Sequence, residues 1–194
     1  MVSMCAWAAI AAAFNASGSR LAAERASGWN RQLRLTPLPS WAYTAGKVLT
    51  GVTLALGGAL VVAVVAGVAD HPHLSAGTWA TVVVASWLGC LPFAALGILL
   101  GLLTSSSSAQ AVAITTMLTL NLLGGLVVPL QAFPQWLRDV AKVLPTYHLA
   151  DIGWRAVAGQ SFDPINVVVL AAYTIAFGGL AAWRYRADQA RLIG

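Results

Sequence analysis

LSAGTWATVVVASWLGCLPFAALGILLGLLTSSSSAQAVAITTMLTLNLLGGLVVPLQAFPQWL, Leu74 to Leu137, contains no Asp, Glu, Lys or Arg. Crossing ~30 Å of hydrocarbon takes about 20 helical residues at a rise of 1.5 Å each, so the run has room for two apolar spans. The polar patch Ser105 to Ser108 reads as the hairpin between them, predicting spans over about 78–103 and 109–128. Working outward, Val48 to Ala69 and Pro164 to Trp183 are also uncharged, and they predict spans over about 47–69 and 164–183. Residues 1 to 19 are uncharged too, with Asn15, Ser17, Gly18 and Ser19 thinning the apolar end of a span over about 2–19. The expected fold is all-α, a polytopic transmembrane helix bundle of about five spans forming a single domain over residues 1–194.

Composition agrees. Ordinary soluble domains carry about 25% charged residues, whereas this chain has 9%, with 59% hydrophobic residues and a mean hydropathy of +0.77. A secretory signal at the amino terminus is disfavoured, because no Lys or Arg precedes the apolar run. Cys5 and Cys90 fall inside apolar spans, where a free cysteine acts as a small hydrophobe and says nothing about redox compartment. The net charge of +5 has a simpler origin in membrane topology than in nucleic-acid binding.

Loop charges set the orientation. The segment 20–46 and Lys47 hold five basic residues against one acid, Glu24. The loop Asp70 to His73 has no Lys or Arg, and the connection from Pro129 to Asp163 balances three bases against three acids. Placing Arg20 to Lys47 and the tail in the cytoplasm puts eight of the eleven Lys and Arg inside, as the positive-inside rule requires. The amino terminus is then expected outside and the carboxyl terminus in the cytoplasm, in the cell membrane. Trp41 and Tyr43, and Trp183 and Tyr185, mark headgroup boundaries, Lys47 is placed to snorkel, and Trp87 reads as packing.

Within the charged segment, a helix over Trp29 to Arg34 would place Trp29 and Leu33 on one side and Arg31 and Arg34 on the other. Pro37 and Pro39 stop it, Ser40 can cap the next helix, and Gly28 offers a hinge. The amphipathic pattern alone serves a lipid surface or a partner protein equally well.

ERASGWNRQLRLTPLPSWAYTAGK, Glu24 to Lys47, resembles the signature of ABC-2 type permeases in Glu24, Arg25, Gly28, Leu33, Thr36, Pro37, Tyr43 and Lys47. FPQWLRDVAKVLPTYH, Phe133 to His148, is similar to that family's external segment before its final span. The resemblance implies the membrane half of an ATP-driven exporter. It implies a coupling helix formed by Glu24, Arg25, Gly28, Trp29, Arg31, Leu33 and Arg34, docking on a separate nucleotide-binding ATPase subunit that carries ATP and Mg. It also implies pairing with a second permease copy, as homodimer or heterodimer, in membrane lipid. Members usually have six spans, so this chain would begin at the second.

The sequence has no G-x-x-x-x-G-K-[ST] phosphate loop, so no ATP site of that kind is expected on this chain. Nor do the spans hold acids or bases of the sort that proton- or sodium-coupled carriers keep at their ion sites. That absence favours a pump driven by an external ATPase over a secondary transporter; with the resemblance it implies an exported amphipathic, drug-like or lipid-like compound, and no cofactor is expected on this chain. Asn15, Thr115, Thr119 and Asn121 are the most polar groups at membrane depth, read either as helix-to-helix hydrogen bonds or as a substrate path.

The segment 129–163 is expected outside, with a short interfacial or re-entrant helix over Gln135 to Leu144 presenting Trp136, Leu137, Val140, Ala141 and Leu144 opposite Arg138, Asp139 and Lys142. By resemblance, Pro134, Trp136, Pro145 and Tyr147 belong to an outer gate. His71, His73 and His148 fall short of a metal set. Gly97 and Gly101 form a G-x-x-x-G pair suited to close packing, Pro92 should kink its span and Pro129 end the next. The competing readings are a membrane-embedded enzyme, which would have to use His148, Asp151 and Arg155, and a non-transporting membrane assembly protein.

Overall fold

A computed structural model describes residues 1–26, 40–69 and 74–190. Its helices are α1 (Val2–Ala26), α2 (Ser40–Ala69), α3 (Ala76–Leu88), α4 (Leu91–Leu103), α5 (Ser106–Leu123), α6 (Gln135–Ala141), α7 (Pro145–Val157) and α8 (Pro164–Ala190), with a 3-10 turn at Leu130–Ala132. The fold is an all-α bundle, and among the described residues there is no strand. Among the described residues, three apolar stretches are long enough to cross a membrane: Ala45–Ala69, Ala76–Leu103 and Pro164–Ala187. The apolar parts of α1 and α5, Val2–Gly18 and Ser107–Leu123, are shorter.

Small residues decide how the helices meet. On α2, Gly51, Ala55, Ala59 and Ala63 recur every fourth residue and are all buried, which places them in one stripe along the helix. That stripe lies on Ala9 and Ala13 of α1 and on Val2 and Cys5 nearer its start, so the two helices run antiparallel. The opposite face of α2 exposes Leu54, Leu60, Val61, Val64, Val65 and Val68. Apolar side chains fully outward on a long helix fit a lipid solvent.

Helix α4 lies parallel to α1 at still closer range. A Cβ added to Gly97 would stand 2.7 Å from Ser17 Oγ and 2.8 Å from the Phe14 carbonyl oxygen. Ser17 Oγ donates across the seam to the Ala94 carbonyl at 3.0 Å, besides its own Ala13 carbonyl at 2.7 Å. The Gly97–Gly101 pair therefore does what its spacing suggested. Around this seam Ile10, Phe14, Phe93, Leu149 and Ile152 belong to one buried cluster.

The expected kink at Pro92 takes the form of a two-residue interruption, Gly89 and Cys90 keeping near-helical backbone angles between α3 and α4. Ser75 caps α3, its Oγ accepting the Thr78 amide at 3.1 Å, and the helix stops at Leu88 before α4 starts with Pro92 in its first turn. Proline has no amide to donate to the preceding turn, and Leu149 packs so tightly over Gly89 that a Cβ there would lie 2.2 Å from its Cδ1. The Ser105 hairpin forms as expected, with Ser105 Oγ within 3.0 Å of the Ser107 hydroxyl and 2.8 Å of the Ser108 hydroxyl. Helix α5 ends at Leu123, short of Pro129, because Gly124 and Gly125 follow and Gly125 takes φ +80°, a backbone state that favours glycine.

Candidate functional site

The polar groups gather at three levels of the bundle. At one end lie Ala26, the last described residue of α1, and Ser40, the first of α2, on either side of the charged connection in the sequence. Glu24 sits on α1, two residues before the last described one, and its carboxylate pairs with the Lys47 ammonium. Lys47 does not snorkel outward: its side chain is only 16% exposed. Arg25 lies on α1 beside Glu24, whereas Gly28, Trp29, Arg31, Leu33 and Arg34 lie outside the described residues.

At mid-bundle the four candidate path residues do not share a face. Thr115 and Thr119, four residues apart on α5, are exposed on the same side of the helix, among Ile114 and Leu118. Asn121 points the other way and is fully buried, and neither its Oδ1 nor its Nδ2 finds a hydrogen-bond partner. A buried amide in that condition is uncommon and costs about 1–3 kcal/mol for each polar group. Asn15, half-buried on α1, donates to the Ala11 carbonyl at 2.9 Å. Trp87 donates its indole N–H to the Val52 carbonyl at 2.9 Å, joining α3 to α2, in keeping with a packing role.

At the far end, α6, α7 and the start of α8 form a polar layer. Helix α6 is shorter than expected, stopping at Ala141, and its apolar residues divide: Ala141 is buried while Trp136 (68% exposed) and Val140 face outward. Arg138 turns back to donate to the Phe133 and Gln131 carbonyls, both at 2.8 Å, which fixes the turn before the helix. Pro134 is exposed at the head of α6, whereas Pro145 is buried in the first turn of α7. Tyr147, half-buried, stands edge-on to His148 and Trp154, with ring centroids 5.4 and 6.3 Å away.

His148, Asn166, Asp151, Arg155 and Asp163 form one continuous network. The ring nitrogens of His148 both face oxygen acceptors, Nδ1 at 2.7 Å from Asn166 Oδ1 and Nε2 at 2.8 Å from the Lys142 carbonyl. Asn166 donates its Nδ2 to Asp151 Oδ2 at 2.8 Å. Arg155 then bridges two acids, its Nε 2.7 Å from Asp151 Oδ2 and its Nη2 3.2 Å from Asp163 Oδ2. The hydrogen bond to Asp151 raises the Arg155 pKa above its already high value, while burial, followed by the Asp151 charge, raises that of the Tyr147 phenol. These polar atoms are turned on one another and tie α7 to α8 and to the turn after α6. Sequence reading singled out His148, Asp151 and Arg155 but missed Asn166, which looks like one polar residue at the head of an apolar span until the fold sets it between them.

Beside the network, a cavity of about 370 Å³ opens between the start of α3 and the turn from α7 to α8, lined by Thr78, Thr81, Arg155, Gln160, Phe162 and Asp163 among others.

Comparison with known proteins follows the same lines. The sequence matches the family described as ABC-2 family transporter protein over residues 1–183. It is 27% identical over 190 residues to the Bacillus subtilis (strain 168) protein named "Putative transport permease YvfS", an alignment covering 98% of this chain and 78% of that one. No solved structure matches it. With a family match over nearly all of a bundle whose long helices are apolar outside and charged only at their ends, this chain is a multi-pass membrane protein belonging to the ABC-2 family of transporters.

Proposed function

We propose that this chain is the permease subunit of an ATP-driven exporter in the cell membrane, moving a small amphipathic, drug-like or lipid-like compound outward. Energy comes from a separate ATPase subunit, with its ATP and Mg, docked on the connection 20–46. A second permease copy, identical or related, completes the path. In this reading the Glu24 end faces the cytoplasm and the His148 layer faces outside, with Tyr147 and Trp136 near the outer gate.

The observation that carries the reading is the family match over residues 1–183. The basic connection fits it, since Arg25, Arg31 and Arg34 fall in the charged segment 20–46 of the sequence, which loop charge assigns to the cytoplasm, where a soluble partner would meet it. Glu24, Arg25, Gly28, Trp29, Arg31, Leu33 and Arg34 are the residues proposed to dock. Asn121, with its unpartnered amide, is the strongest of the path candidates Asn15, Thr115, Thr119 and Asn121.

Co-purification tests the proposal. The chain should retain a P-loop ATPase in mild detergent, and Arg31→Glu with Arg34→Glu should release it; unchanged retention would remove the docking assignment.

A further inference from the structure

We propose that the cavity beside Arg155 and Asp163 is a headgroup site for a zwitterionic phospholipid with a primary ammonium, a phosphatidylethanolamine, whose phosphate meets Arg155 and whose ammonium meets Asp163. The site requires neither a docked ATPase nor a particular direction of transport.

Position points to lipid. The cavity of about 370 Å³ has the size of a small-molecule site, and its walls are the first turns of α3, the end of α7 and the turn into α8. Two of the membrane-length apolar stretches begin there, at Ala76 and at Pro164. The cavity therefore lies at the level where hydrocarbon gives way to headgroups. Phe162, part of its lining, is 59% exposed, and Ile165 and Val168 are exposed three residues apart on the helix that follows, which puts them on one face of α8. A headgroup held in the cavity has that apolar surface for its acyl chains, and a soluble ligand would leave it unused.

The charges select a zwitterion. Arg155 and Asp163 both line the cavity, with 32% and 33% of their side chains exposed. A guanidinium has five N–H donors and a carboxylate about four acceptor positions. Arg155 directs one donor to Asp151, one to Asp163 and one, at 3.5 Å, to the Ser161 carbonyl. Asp163 accepts from Arg155 and from the Ile165 amide, so donors and acceptors remain side by side. A purely anionic ligand would face the Asp163 carboxylate with Asp151 behind it, and a purely cationic one the Arg155 guanidinium. A ligand carrying both charges meets an opposite for each and is favoured over either.

The other walls fit the same headgroup. Ser75 Oγ and Thr78 Oγ1 lie 3.0 Å apart; one hydroxyl proton serves that bond and the other is free for a phosphate oxygen. Gln160 adds an exposed amide. Among the described residues Phe162 is the one aromatic ring in the lining, too few for the aromatic cage that holds a quaternary ammonium. Hydrogen bonds to the carboxylate select a primary ammonium instead.

The test uses the full chain, stripped of lipid in mild detergent, and native mass spectrometry with phospholipids of matched acyl chains. Phosphatidylethanolamine should be retained about tenfold more tightly than phosphatidylcholine or phosphatidylglycerol, roughly the worth of one charge-assisted hydrogen bond. Dodecylamine, which has the ammonium without the phosphate, should also bind less tightly. Glycerophosphoethanolamine, the headgroup without acyl chains, should not displace the lipid at equal concentration. Asp163→Asn should erase the preference over phosphatidylglycerol by removing the negative wall. Thr78→Val with Gln160→Leu should weaken retention with melting little changed, and this chain leaves the α7–α8 network whole, so it decides the matter if Asp163→Asn misfolds. Equal retention of the three phospholipids would overturn the site, as would dodecylamine binding equally well, displacement by glycerophosphoethanolamine, or retention untouched by the Thr78→Val/Gln160→Leu pair.

Discussion

Replacing Gly97 by alanine probes the close seam between α1 and α4. The new methyl would lie 2.7 Å from Ser17 Oγ and 2.8 Å from the Phe14 carbonyl oxygen, well inside ordinary carbon–oxygen contact. Ser17 Oγ could rotate away, but only by giving up its 3.0 Å hydrogen bond to Ala94; the Phe14 carbonyl belongs to α1 itself and cannot. The helices must therefore part. Overpacking of this kind costs about 1–3 kcal/mol, and losing an interhelical hydrogen bond adds ~0.6 kcal/mol. Alanine's better helix propensity returns ~1 kcal/mol, leaving a net loss of roughly 1–3 kcal/mol. By soluble-domain scaling of about 2–4 °C per kcal/mol at this size, the melting temperature should drop by several degrees.

Gly57→Ala is the control, since nothing lies within 4 Å of a Cβ built there and only the propensity gain remains. Thermal melting in one detergent compares the two. Adding Ser17→Ala should recover part of the Gly97→Ala loss, because one of the two close contacts disappears and the other stays. A Gly97→Ala chain as stable as Gly57→Ala would refute the close α1–α4 seam.

Three other outcomes follow from the polar groups. Asn121→Leu removes an amide without partners and should raise thermal stability by ~1–3 kcal/mol while abolishing export if the amide meets substrate; a fall in stability would show the amide to be bonded. His148→Ala strands the Lys142 carbonyl and Asn166 Oδ1, at ~1–3 kcal/mol for each acceptor left unpaired, and trypsin should cut faster at Lys142; an unchanged digestion rate would argue against the network. Burial and the Asp151 charge raise the Tyr147 phenol above its ordinary value of about 10. The stability of the neutral phenol is then complete below ~10 and lost as pH rises through the folded value, the unfolded chain ionising first. Tyr147→Phe should flatten that alkaline fall in melting temperature, and equal slopes in both chains would contradict it.

The sequence by itself determined the class and much of the layout. An uncharged run from Leu74 to Leu137 admits little besides apolar helices, because backbone groups in hydrocarbon must be bonded within the helix, and the Ser105 hairpin is written in its polarity. The motif around Glu24 to Lys47 carried the family. Helix ends were less legible: the stop at Leu123 depends on Gly125 adopting positive φ, and the break at Gly89 on Leu149 lying over it, contacts made by residues far apart in the chain. Pairing was not legible at all. Glu24 and Lys47 are each readable as charges near an interface, and Asn166 as a stray polar residue, until antiparallel packing of α1 on α2 and the folding of α7 against α8 bring their partners within reach. Sequence periodicity fixes which face of a helix is apolar, whereas the close approach permitted by Gly51, Gly97 and Gly101 decides which helix that face meets, and so which buried charges find each other.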